Sequence, residues 1–240
     1  MSLAQNDIIQ LTLNQEGGYG IDNNGAQVYK GINQAYNKDW DGWAIINRLV
    51  SSLGGSGAAR KATSQKPYSF GNTDLDSSLI SRVIKNYWNG HNFESYTDGK
   101  VTAQLFDHLY NAGPGGLNSL LMNSFNATQS TAPGIINADS QAVQKVIEAR
   151  KAFYSKCTWH TDDLKKRENY TKGAYRRVDD IASSTGSQQF SGQVANVNNL
   201  QNNGGAAMQQ QLLSSPFDQM DNIYFRERGK ITTTSSLPII

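Results

Sequence analysis

The sequence predicts an all-α, mainly helical fold with one small polar hairpin, and three observations support that class. Apolar residues recur at helical spacing through most of the first 181 residues, and Gly, Pro, Asn and Asp separate the apolar runs. No segment shows the long apolar–polar alternation of a strand-rich protein. Cys157 is the one cysteine of the 240 residues, so no internal disulfide can form and packing must hold the fold.

The first half of the chain begins with an apolar helical run over residues 3–15. A hairpin is predicted from Asp22 to Lys30, because Asn23-Asn24-Gly25 is a turn signal. We expect a short helix to begin at Gly31 and a longer one to follow a cap at Asp39 or Asp41. Residues 53–67 are predicted to be a loop because they are rich in Gly, Ser and basic residues, with a lid over a cleft as the functional alternative.

Five more helical segments are predicted in the rest of the folded region. They are a helix capped by Asp76, Val101 to Tyr110, Leu117 to Phe125, Ser140 to Lys156, and residues 162–181 with an interruption near Gly173. Gly113-Pro114 is predicted to stop the second of these helices.

Residues 184–240 differ in composition from the rest of the chain. Ser, Gly, Asn and Gln dominate as far as Gln211, and such a stretch cannot bury enough apolar surface to fold alone. Apolar clusters at residues 223–225 and 237–240 leave two interpretations open. The segment is either a flexible C-terminus or an extended arm that docks on a partner or a second copy.

Composition argues against several classes of partner and cofactor. A net charge of +2 is too small to predict a nucleic-acid ligand, and no apolar run reaches the roughly 20 residues that insert into a membrane. The N-terminus lacks the pattern of a secretory signal, so we expect synthesis in the cytoplasm. The sequence has neither metal-ligand spacing nor a phosphate-binding loop, so we expect no cofactor and no metal.

Glu16 is the main candidate for a chemical role. It follows the first helix directly, and Gly17 and Gly18 come next, where they can bring the backbone close to a ligand. Burial and the negative end of the helix dipole both favour a neutral carboxylic acid, which suits a general acid. Asp22 is a second carboxylate nearby in sequence. Glycosidic cleavage uses such a pair, one carboxyl group as the acid and the other for water or the anomeric carbon.

Four motifs, in order, resemble those of the glycoside hydrolase family 108 muramidases. They are Glu16-Gly17-Gly18-Tyr19 followed by Gly31-Ile32, then Tyr87-Trp88, then Phe106-Asp107-His108-Leu109-Tyr110-Asn111-Ala112-Gly113-Pro114, and last Arg150-Lys151-Ala152-Phe153-Tyr154 with Gly173-Ala174-Tyr175-Arg176-Arg177-Val178. The resemblance spans residues 5–180. Members of that family are lysozyme-like, mostly helical enzymes of phages and bacteria that cut peptidoglycan.

The resemblance implies a lysozyme-like catalytic region at residues 1–125 and a helical, peptidoglycan-binding region at residues 126–183 packed on it. It assigns Glu16 the role of general acid, and Asp22 would stabilise positive charge or position water. Substrate contacts would come from Gly17, Gly18, Tyr19 and Asn111, although packing under the hairpin suits Tyr19 equally and a structural role suits Asn111 better. One departure concerns water, since Val28 stands where the family usually has a Thr hydroxyl.

Three functions therefore remain open. The first is a muramidase that hydrolyses the bond between N-acetylmuramic acid and N-acetylglucosamine. The second is a lytic transglycosylase, which uses the 6-hydroxyl of its substrate in place of water. The third is a wall-binding or structural component of a phage tail or contractile injection particle, attached through residues 184–240. In each case the protein would reach the periplasm or cell wall after lysis or delivery.

Overall fold

The computed structural model of the protein describes residues 3–157 and 164–186, and in this part the fold is mainly helical. The elements are α1 (Gln5–Leu13), β1 (Tyr19–Ile21), β2 (Gln27–Tyr29), β3 (Ile32–Asn33), α2 (Gly42–Ser52), α3 (Ser56–Ala62), α4 (Thr73–Val83), α5 (Gly99–Phe125), α6 (Ala132–Asn137), α7 (Ala142–Ser155) and α8 (Leu164–Gly186). The predicted fold class is confirmed. Residues 184–186 complete α8, and the rest of the predicted tail lies outside the described residues.

The predicted hairpin is present and forms part of a three-stranded antiparallel sheet in the order β1-β2-β3. Tyr19 pairs with Tyr29, and Val28 pairs with Asn33. The helix predicted to begin at Gly31 is wrong, because β3 occupies this position. Positive φ angles at Lys30 (48°) and Gly31 (79°) reverse the chain, so that Ile32 pairs with Tyr29 in the core.

The prediction of a loop over residues 53–67 is also wrong, because helix α3 lies within this segment. Gly54 and Gly55, with φ of 89° and 111°, form the turn from α2, and the Ala-rich segment that follows has good helix propensity. Ala59 is fully buried, and α3 packs on β1. This segment is therefore a packed part of the fold rather than an open loop.

Helix α4 begins at Thr73, earlier than the predicted cap at Asp76. The Asn72 side chain caps it by accepting a hydrogen bond of 2.9 Å from the Leu75 amide. Asp76 therefore lies inside the helix. A π-helical turn, Ile84–Trp88, continues α4.

Helix α5 runs through the centre of the molecule and packs on α1, α7 and α8. Its first part is buried from Val101 to Asn111, and Gly113 (φ 73°, ψ 177°) interrupts the helix at the predicted stop. The interruption predicted near Gly173 is absent, because α8 continues through this position. One apolar core joins α1, α4, α5 and α7 to Ile181 of α8, so the two regions proposed at residues 1–125 and 126–183 share a core.

Candidate active site

Glu16 lies just beyond the end of α1 and is 4% exposed. Its amide donates a hydrogen bond of 3.2 Å to the Leu13 carbonyl, which extends the last turn. A Cβ on Gly31 would lie 2.8 Å from Glu16 Oε2 and 3.1 Å from Tyr110 Cε1. Glycine at this turn therefore provides the space that the Glu16 carboxylate occupies.

Arg177 on α8 contacts Glu16 from the far end of the described chain. Its Nη2 lies 3.0 Å from Glu16 Oε1 and 2.7 Å from Asp107 Oδ1. Its Nε donates to both Asp107 oxygens, at 3.1 and 3.0 Å. One buried guanidinium thus holds the candidate acid and a carboxylate of α5 together.

Asp107 also pairs with Arg150 of α7, whose Nη2 lies 2.5 Å from Asp107 Oδ2. Arg150 donates through Nη1 to the Gln104 side chain. Glu16, Asp107, Arg150 and Arg177 are all buried, and their formal charges sum to zero. We call these four residues the charge cluster.

The charge cluster shifts the pKa values of Asp107 and Arg177. Burial alone would raise the pKa of Asp107, but the charges and hydrogen bonds of Arg177 and Arg150 outweigh it and hold this pKa at about 2. Burial would lower the pKa of Arg177, yet Asp107 and Glu16 raise it above the usual value.

The hairpin is tied to α5 at its base. The Tyr110 hydroxyl donates a hydrogen bond of 2.7 Å to the Lys30 carbonyl, and the Lys30 amide donates to the Gly17 carbonyl at 3.2 Å. These bonds set the position of the Gly31 turn against Glu16.

Asp22 lies at the opposite end of the hairpin. Its Oδ1 accepts hydrogen bonds from the amides of Asn24 (2.9 Å) and Ala26 (2.8 Å). Its Oδ2 accepts from the Asn33 side chain at 2.7 Å. The carboxylate therefore organises the turn and β3. Its predicted catalytic role remains a prediction.

The residues predicted to contact substrate make contacts within the protein. Tyr19 is 4% exposed, with its ring centroid 6.0 Å from that of Phe70, which favours the packing role. A Cβ on Gly18 would lie 2.2 Å from the Thr63 carbonyl, so this glycine allows a close contact within the protein. The Asn111 side chain is buried and donates to the Tyr154 hydroxyl at 3.1 Å. These contacts are structural, and substrate contact by these residues remains a prediction.

Gly31 and Arg177 belong to the motifs described above, but the sequence patterns assign neither residue a role at the site. The position of Arg177 beside Glu16 depends on the packing of α8 against α5 and α1, which no local pattern reveals. The burial expected for Glu16 could have predicted a partner of this kind, because a buried carboxylate needs a cation or a hydrogen-bond donor beside it.

Residues 9–113 match the family model described as glycosyl hydrolase 108. This part of the chain is therefore similar to that family. Searches of curated proteins and of solved structures gave no significant match. The match supports a glycoside hydrolase of the peptidoglycan-degrading class.

The glycosyl hydrolase 108 region contains Glu16, Gly31 and Asp107, whereas Arg150 and Arg177 lie beyond the matched residues. The charge cluster therefore joins the family region to the C-terminal helices. Across residues 3–157 and 164–186, no three His, Cys, Asp or Glu side chains converge as a metal site. Within the same residues, no helix combines the length and apolarity needed to cross a membrane.

Proposed function

We propose that the protein is a muramidase that cleaves the bond between N-acetylmuramic acid and N-acetylglucosamine, with Glu16 as the general acid. The observation that carries this proposal is the buried Glu16 carboxyl group, which faces the Gly31 turn inside the glycosyl hydrolase 108 region. A carboxyl group shielded from water is suited to transfer a proton to a glycosidic oxygen.

In this mechanism neutral Glu16 gives its proton to the leaving oxygen as the glycosidic bond breaks. The carboxylate that results is stabilised by Arg177, which lies 3.0 Å from Glu16 Oε1. Asp22 stabilises positive charge on the sugar or positions the attacking water. Because Glu16 is only 4% exposed, substrate binding must open a path to its carboxyl group.

A lytic transglycosylase is the second candidate, and Val28 favours it. This residue is 3% exposed and has no hydroxyl group to hold a water molecule. A transglycosylase depends less on such a water, because the 6-hydroxyl of the muramic acid attacks instead.

The proposals are tested by digesting purified peptidoglycan with the natural protein, with Glu16→Gln and with Glu148→Gln, a change at an exposed position of α7. Reducing muramic ends that vanish only in Glu16→Gln support the muramidase, and anhydro-muramic ends support the transglycosylase. If the folded natural protein binds the wall and cleaves nothing, an inert wall-binding or structural module replaces both.

Delivery is a separate proposal. We propose that residues 184–240 attach the protein to a phage or injection particle that carries it to the cell wall. Residues 187–240 lie outside the described structure, and the proposal rests on their composition and apolar clusters. Unchanged incorporation of a protein truncated at residue 186 into the particle would contradict it.

A further inference from the structure

A cavity of about 400 Å³ lies between α1, residues 67–71 and α4, and Glu16 is not among the residues that line it. Its walls are largely apolar, with Leu13, Phe70 and Leu79 among them. Two charged side chains of opposite sign, Lys30 and Asp76, also line it. Concave sites with apolar walls and a few convergent polar groups are the usual form of a ligand pocket.

Lys30 is fixed at one side of this cavity. The residue is 3% exposed, and its Nζ donates to the Leu13 carbonyl at 3.0 Å and to the Pro67 carbonyl. An ammonium group has three donors, and these two bonds use two of them; the Lys30 Nζ also lies 5.7 Å from the centroid of the Tyr68 ring. Burial lowers the pKa of Lys30 to about 8, and the charges of Asp76 and Glu16 oppose this effect, so the group is largely charged at neutral pH.

Asp76 provides the opposite charge. Its Oδ1 accepts a hydrogen bond of 3.3 Å from Ser69, which in turn accepts one of 3.3 Å from the Tyr29 hydroxyl. Within residues 3–157 and 164–186, neither Asp76 nor Lys30 has an ion-pair partner within 4 Å. Burial raises the pKa of Asp76, and the Ser69 hydrogen bond and the Lys30 charge oppose this effect. The charges of Lys30 and Asp76 therefore interact electrostatically although the two groups form no direct ion pair.

A gap between opposite, partly buried charges suits a ligand that carries both charges. Each side chain loses hydration at the cavity, and direct ion pairing does not compensate for that loss. A zwitterion restores both interactions, because its carboxylate binds the Lys30 ammonium and its ammonium binds the Asp76 carboxylate. The apolar walls would contact a methylene chain.

We propose that this cavity binds the zwitterionic end of a diamino acid in the stem peptide of peptidoglycan. The proposal rests on the proposed function, since it names the part of that substrate which the cavity recognises. Lys30 immediately precedes Gly31, which lies against Glu16. The hairpin base therefore places a peptide-binding cavity next to the residue assigned to glycan cleavage.

The test is titration of the full-length protein with a stem tetrapeptide whose diaminopimelate side chain carries a free amine and a free carboxylate. The matched ligand is the same tetrapeptide with this amine acetylated. We expect acetylation and Asp76→Asn each to weaken binding at least tenfold. Asp74→Asn, a change at an exposed position of the same helix, should bind like the natural protein. Equal affinities for the two peptides, or unchanged binding by Asp76→Asn, would overturn the proposal.

A free amino acid shares this chemistry, so free diaminopimelate is the third ligand of the experiment. Weaker binding of the free amino acid than of the tetrapeptide supports the stem peptide as the ligand. Equal or tighter binding would overturn that assignment in favour of a small-molecule site.

The tetrapeptide has no glycosidic bond, so its binding is independent of catalysis. If peptidoglycan is not cleaved and the tetrapeptide still binds through Asp76, the muramidase fails and the cavity assignment stands. If cleavage occurs and acetylation of the wall amines leaves KM unchanged, the cavity assignment fails and the muramidase stands.

Discussion

Arg177 Nη2 lies 3.0 Å from Glu16 Oε1 and 2.7 Å from Asp107 Oδ1, so one guanidinium joins α8 to the candidate acid and to α5. The acid belongs to the glycosyl hydrolase 108 region, and its cationic partner lies beyond the matched residues. The orientation of Glu16 therefore depends on the docking of a helix near the C-terminal end of the described chain.

Arg177→Lys should impair catalysis more than substrate binding. Lysine keeps the charge, but its single ammonium cannot reproduce the planar contacts that guanidinium makes with Asp107 and Glu16. We expect kcat for peptidoglycan to fall by about 10- to 100-fold with little change in KM, because the acid loses its orientation. Arg176→Lys is the matched control at an exposed neighbouring position and should retain full activity. An equal loss in both variants would contradict this role.

Asp107→Asn should destabilise the fold strongly. The substitution removes the carboxylate between two buried arginines and leaves their charges uncompensated. We expect the free energy of unfolding to fall by about 3–5 kcal/mol in urea denaturation. Asp179→Asn breaks the exposed pair with Lys151 and should cost less than about 1 kcal/mol. A similar small loss in both variants would show that the charge cluster contributes little to stability.

Gly31→Ala separates backbone strain from crowding of the acid. Gly31 (φ 79°) and Gly25 (φ 82°) have similar left-handed backbones, so alanine at either position should cost about 1–2 kcal/mol. Only at Gly31 does the new methyl group meet Glu16, since a Cβ on Gly25 has no neighbour within 4 Å. We expect at least a tenfold loss of activity in Gly31→Ala and near-normal activity in Gly25→Ala. Equal activities, measured below both melting transitions, would contradict the predicted crowding.

His108 should make stability depend on pH. Burial, together with the nearby Arg150 charge, lowers the pKa of this histidine to about 3, against about 6.5 in the unfolded chain. Between these values the unfolded state binds more protons than the folded state, so stability falls as pH decreases from 6.5 towards 3. The slope contributed by one such group approaches about 1.4 kcal/mol per pH unit.

Urea denaturation at several pH values measures this slope. His108→Phe should remove that contribution, because phenylalanine cannot bind a proton and suits the site between the rings of Phe153 and Tyr154. His91→Phe, at a partly exposed position, should leave the slope of His108 in place. The same pH dependence in His108→Phe and the natural protein would show that another group is responsible.

Local sequence patterns predicted the elements that local interactions stabilise. The hairpin follows from its Asn-Asn-Gly turn, which Asp22 supports through hydrogen bonds within four residues. The break in α5 follows from Gly113-Pro114. The errors occur where packing outweighs composition, since α3 is stabilised by burial of Ala59 and β3 by burial of Ile32.

The sequence by itself determined a mainly helical fold, a hairpin after the first helix and a carboxylic acid at its base. These features depend on periodicity, turn residues and one short motif, all of which are local. Only the tertiary structure decided what surrounds that acid. Gly31 and Arg177 contact Glu16, and Asp107 links Arg177 to Arg150, because α5, α7, α8 and the hairpin pack around one core. Contacts between residues far apart in the chain depend on that packing, and no spacing along the chain encodes them.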